Sequence, residues 1–124
     1  MNAELPYYDG DLHYCGGDLD TQTAIVRTLD RLPTDVGKLA RSMCLFLSTG
    51  DGIKGSMFAL HAYEFVPAYI ITLDREAMRG ERAQDIVAHE IAHAWLDHSF
   101  EGDSGNWEAE ADQQAVEWGF RHKE

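Results

Sequence analysis

The sequence predicts an α+β fold in which a small, mostly antiparallel sheet packs on helices. Apolar residues recur at threes and fours toward both ends of the chain, and three short segments rich in Phe, Leu, Ile, Tyr and Thr lie between them. No internal repeat, low-complexity tract or linker interrupts the 124 residues, so a single domain over 1–124 is expected.

The first stretch, to about Asp20, is rich in Gly, Asp and Tyr and reads as loop with room for a short strand. From Thr21 the spacing of Ile25, Leu29 and Leu32 is helical, with Asp20 as the expected N-cap and Pro33 closing the segment. Val36, Leu39, Ala40 and Met43 predict a second helix after Thr34. Cys44 to Ser48, Ser56 to Tyr63 and Ala68 to Leu73 read as strands, separated by Gly-Asp-Gly and Val-Pro. The helical period returns from about Glu81 to Asp97. After the loop SFEGDSGN it resumes from Trp107 to about Trp118, where Gly119 stops it.

Composition narrows the function. A formal charge of -12, from 22 acidic and 10 basic residues, repels phosphate backbones and anionic lipid, so neither nucleic acid nor membrane is expected as a partner. No apolar run is long enough to span a bilayer, and MNAELPYYDGD is acidic where a secretory signal would be basic, which predicts a cytoplasmic protein. Two cysteines make no disulfide framework, and Cys44, within MCLFL, reads as a buried small hydrophobe.

The chemistry concentrates in VAHEIAHAWLDH, residues 87–98. An H-E-x-x-H pattern arises by chance in roughly 2% of chains of this length and composition, so its surroundings must decide. On a helix, His93 lies at about 40° and Glu90 at about 100° from His89, while Val87, Ile91, Ala94 and Trp95 lie behind them at about 140–240°. Two imidazoles thus converge on one ion with an acid beside them. His98, at about 180°, cannot join them.

A catalytic zinc needs a third protein ligand. The metzincin continuation is excluded, because Leu96 and Ser99 stand where its glycine and third histidine belong. An upstream cysteine, as in peptide deformylases, would be Cys44, but MCLFLS does not resemble that family's surroundings. The stretch WEAEADQQAVEWGF offers a better answer. Glu108 and Asp112 share a helix face with Ala111 and Ala115, while Glu110, Gln113, Gln114 and Glu117 lie opposite. Two carboxylates on an alanine face call for a cation and an imidazole N–H as compensation. Glu108 is therefore the expected third ligand, and Asp112 the acceptor of a ligand histidine's other ring N–H.

H-E-x-x-H followed by E-x-x-x-D resembles the signature of gluzincin metallopeptidases at His89, Glu90, His93, Glu108 and Asp112. Over roughly residues 69–120 the chain most resembles the short ImmA/IrrE-type members, with SprT-like and other minimal zincins close to it. The resemblance implies a zincin-like fold and one Zn2+ per chain held by His89, His93 and Glu108. It also implies Glu90 as general base in peptide-bond hydrolysis, and a protein or peptide substrate. It further implies that the strand carrying Tyr69, Ile70, Ile71 and Thr72 offers an edge to an extended peptide. Two imidazoles and a carboxylate also suit Fe(II), Co or Mn, and zinc is favoured by the resemblance.

An oxyanion donor is expected among Tyr63, Tyr69, His61 and His122, which the sequence does not rank. Asp11, His13 and Cys15 before Gly-Gly form a weaker metal pattern. The competing function is a zinc-stabilised, zincin-like binding or regulatory module with little hydrolysis and a regulatory protein partner. The presence of Glu90 argues for chemistry, because a structural zinc needs no base. A helical protein without metal would require both motifs to be coincidences.

Overall fold

The computed structural model describes residues 12–50, 52–59, 68–97 and 106–122. Their order is β1 (His13–Cys15), α1 (Leu19–Arg31), α2 (Thr34–Met43), β2 (Cys44–Thr49), β3 (Gly55–Ala59), β4 (Tyr69–Asp74), a 3-10 turn at Ala77–Arg79, α3 (Ala83–Trp95) and α4 (Trp107–Glu117). The architecture is α+β. Among these residues no helix is long and apolar enough to cross a membrane.

Helix α1 begins two residues earlier than its apolar spacing suggested. Its cap is Asp18, not Asp20: the Asp18 Oδ2 accepts from the Thr21 N–H at 3.0 Å and from the Thr21 hydroxyl at 2.6 Å. Asp20 instead sits in the first turn, where an acid faces the positive end of the helix dipole. Ile25 and Leu29 are buried as the helical period requires.

The sheet is mixed, which corrects the expectation of a mostly antiparallel one. Its order is β1-β2-β4-β3, with β1 and β2 parallel, β2 and β4 parallel, and only β3 and β4 antiparallel. Parallel neighbours need a crossover rather than a tight turn. Helices α1 and α2 supply the one between β1 and β2. β3 lies on the far side of β4, so β2 and β4 become neighbours although they are not consecutive. Alternation along a strand specifies which face is buried but not which strand lies alongside.

One consequence reaches the predicted peptide edge. Tyr69, Ile70, Ile71 and Thr72 belong to β4, an interior strand paired on one side with Cys44 to Thr49 and on the other with Gly55 to Ala59. Its backbone is committed to the sheet and offers no edge; among the described strands, β3 is the outer one beside β4.

The core lies between the sheet and α1 and α3. Phe46 and Ile71, register partners across β2 and β4, are fully buried, as are Ile25, Val36, Leu73, Val87 and Ile91. Each apolar side chain of this size contributes roughly 1.5–3 kcal/mol on burial. Helix α3 is the hub: it touches α1, α2, α4, β3 and β4, and every residue from Asp85 to Ala94 is buried. Trp95, expected on its packing face, is instead 36% exposed at the last turn, edge-on to Trp118 of the segment after α4. Asp97 then takes a left-handed backbone (φ 57°) and ends the helix.

Helix α4 ends where Gly119 was expected to stop it. Gly119 has φ 100°, its N–H donates to the Val116 carbonyl, and the Phe120 N–H donates to that of Ala115. This pair of bonds closes the helix in a left-handed turn that glycine adopts without strain. Phe120 is thereby turned back into the core.

Candidate metal centre

Helix α3 presents His89 and His93 one turn apart, with ring centroids 4.8 Å from each other and planes at 82°. Both are buried, at 1% and 6% exposure, because the surrounding positions of α3 are Ala, Ile and Val packed on every side. Glu90, 1% exposed, is buried with them.

Helix α4 supplies the carboxylates. Its Ala111 and Ala115 are fully buried, and Glu108 and Asp112 are carried to α3 beside them. Glu108 Oε1 lies 2.9 Å from His89 Nε2, and Oε2 lies 3.2 Å from His93 Nε2. The two Nε2 atoms are themselves 3.2 Å apart. On the other side of the His89 ring, Nδ1 is 2.7 Å from Asp112 Oδ1. Glu110, the nearby alternative, is exposed on the opposite side of α4, where it borders Leu96, Gln113, Gln114 and Glu117.

These contacts have a chemical consequence. An ionised carboxylate only accepts, so Asp112 requires the proton on His89 Nδ1 and leaves the Nε2 lone pair directed at Glu108 and His93. Acceptors then meet at one point, an arrangement that repels unless a proton or a cation sits among them. Two ligands of a tetrahedral ion, at about 2.0–2.1 Å each, stand about 3.3 Å apart. Separations of 2.9 to 3.2 Å match that span within a few tenths of an ångström. His89, His93 and Glu108 form a group that could hold a metal ion, their ligand atoms all within 4.8 Å of one another. Glu108 leaves one side open to water, its side chain being 67% exposed.

The other candidates separate. Tyr69 commits its hydroxyl to Asp97, donating to Oδ1 at 2.6 Å; burial and that bond to a carboxylate both push its pKa up. His122 approaches from the C-terminal segment, its Nδ1 3.6 Å from Asp112 Oδ2, and so neighbours the acid rather than the ligands. His13 and Cys15 lie in β1, half-buried and exposed respectively, and join no such group among the described residues. Asp11, His61, Tyr63 and His98 lie outside the described residues. Cys44 is fully buried, and burial pushes its thiol up to about 12.

Two features escaped the sequence reading. Gly55, one residue before the expected start of the strand at Ser56, is the first residue of β3 and lies against Glu90. Asp85, on the first turn of α3, is 4% exposed and binds the C-terminal segment: its Oδ1 accepts from the Arg121 N–H at 2.9 Å and its Oδ2 from Arg121 Nε at 3.1 Å. A charged residue inside an apolar helix was the available signal for Asp85; Gly55 left none. Comparison with models of protein families, with curated proteins and with solved structures finds no match for this chain.

Proposed function

We propose that this chain is a minimal zinc-dependent metallopeptidase of gluzincin type, most like the ImmA/IrrE group, acting on a protein or peptide in the cytoplasm. The observation that carries the reading is the convergence of His89 Nε2, His93 Nε2 and the Glu108 carboxylate on one point, with Glu90 buried next to His89 on the same helix. Three ligands alone would serve a structural ion. The acid that is not needed as a ligand favours catalysis.

When bound, zinc would act as a Lewis acid, lowering the pKa of a water and polarising a carbonyl oxygen. Asp112 holds the His89 ring and its tautomer. Glu90 would take the proton of the attacking water as the new C–O bond forms, and then deliver it to the amine nitrogen, which leaves as the peptide C–N bond breaks. β3, the outer strand that packs on α3, is the element along which an extended substrate would lie.

The test is metal content and turnover in one series. The wild type and Glu110→Ala should carry about one zinc per chain, and Glu108→Ala should lose it. Glu90→Gln should keep the zinc and lose hydrolysis of a dye-labelled unfolded protein. Zinc binding that raises stability with no hydrolysis would transfer the chain to the second reading, a zinc-stabilised binding module. A folded wild type that takes up no zinc would end both.

A further inference from the structure

We propose that Gly55 is a positioning residue for Glu90: the space left by its missing side chain is the seat of the Glu90 carboxylate. A Cβ built on Gly55 would lie 3.1 Å from Glu90 Cγ, 3.1 Å from Glu90 Oε2 and 3.1 Å from Ile86 Cγ2. Two of its three nearest atoms therefore belong to Glu90, the acid next to His89 on α3. Contacts this short are tighter than side chains ordinarily tolerate, and Glu90 cannot yield easily, being 1% exposed.

Backbone conformation does not explain this glycine. Gly16, Gly17, Gly52 and Gly119 have positive φ, and Gly55 does not. It sits in a regular strand opposite Leu73, where a glycine sacrifices packing and order and marks a close approach of another group. That group is Glu90. Ile86, one helical turn earlier, closes the other side of the seat. A base must be held in one rotamer to meet the proton it removes, and misplacement by about 1 Å costs up to roughly 100-fold in rate. None of the metal-binding side chains is among the three nearest neighbours of this position, so it bears on the base and not on the ion.

The functional half of this inference rests on the peptidase reading; the steric half does not. The full chain, with zinc supplied, would be compared as wild type, Gly55→Ala, Glu90→Ala, Ile86→Ala and the two double variants. Gly55→Ala should lower Tm by about 4 °C. In the Glu90→Ala background the same substitution should cost less than half as much, because the truncated side chain vacates two of the three close contacts and leaves only Ile86. Zinc affinity of Gly55→Ala should stay within about 3-fold of wild type, while kcat for the labelled protein falls about 10- to 100-fold with KM little changed. An equal loss of Tm in both backgrounds, or relief by Ile86→Ala instead of Glu90→Ala, would overturn the proposal. Should Gly55→Ala alone not fold, recovery of the fold on adding Glu90→Ala supports it and continued failure overturns it. Absence of hydrolysis in the wild type would end the peptidase reading and leave the Tm cycle to decide the seat of Glu90.

Discussion

Asp112 touches no metal ligand atom directly, yet it decides what His89 can do. By accepting from Nδ1 at 2.7 Å it leaves Nε2 as a donor of electrons to a cation. Asp112→Ala should weaken zinc binding about 10- to 100-fold, measured by competition with a chromophoric chelator; unchanged affinity would remove Asp112 from the centre. Cys44 provides a second test at this scale, through pH. Burial raises its pKa from 9.0 to about 12, so above pH 9 the unfolded chain has released a proton that the folded chain still holds. The thiol's contribution is complete below pH 9 and is lost as pH rises toward 12, at about 1.4 kcal/mol per pH unit. Stability should therefore fall more steeply between about pH 9 and about pH 10 in the wild type than in Cys44→Ala. Native alkylation should modify exposed Cys15 and spare Cys44.

Among the elements, the segment after α4 does more than end the chain. Arg121 is bound to Asp85 and donates to the Glu81 carbonyl at 3.2 Å, Arg82 donates to the His122 carbonyl at 2.9 Å, and Arg31 reaches the Gly119 carbonyl at 3.0 Å while stacking over Phe120 at 4.0 Å. The Arg121 and Arg82 bonds lash α4, and with it Glu108 and Asp112, to the N-terminal end of α3, and Arg31 ties the same segment to the end of α1. Asp85→Ala removes two acceptors that are buried while the Arg121 side chain stays 56% exposed and can return to water. The expected cost is about 1–3 kcal/mol, read in Tm, with faster amide exchange at residues 119–121 than in the wild type. No change in either would mean that α4 is held by Ala111 and Ala115 packing alone. Short helical elements were legible in the sequence because their partners are local: the periods of α1, α2, α3 and α4 emerged within a few residues of their ends. The caps were less so, since Asp18 and Asp20 offer the same side chain and only the path of the preceding chain selects between them.

At the scale of the whole molecule, α3 and α4 meet at the His89, His93 and Glu108 group that could hold a metal ion. On the proposed zinc reading no ligand set exists in an unfolded chain, so zinc at about 100 times its Kd should raise stability by about 2.7 kcal/mol. The same experiment on Glu108→Ala should give little or no shift. A net charge of -12 opposes compaction, and moderate salt should raise the Tm of the metal-free chain by screening it.

What the sequence by itself determined is the chemistry that periodicity can carry. His89, Glu90 and His93 at helical spacing, and Glu108 with Asp112 on an alanine face, are fixed relative to one another by 3.6 residues per turn, whatever surrounds them. Tertiary structure alone decided everything that depends on which elements become neighbours. It placed β4 inside a mixed sheet and made β3 its outer strand, because strand order follows the crossovers and not the alternation of side chains. It set Gly55 against Glu90 and Arg121 against Asp85, pairs separated by tens of residues whose meeting no local pattern records.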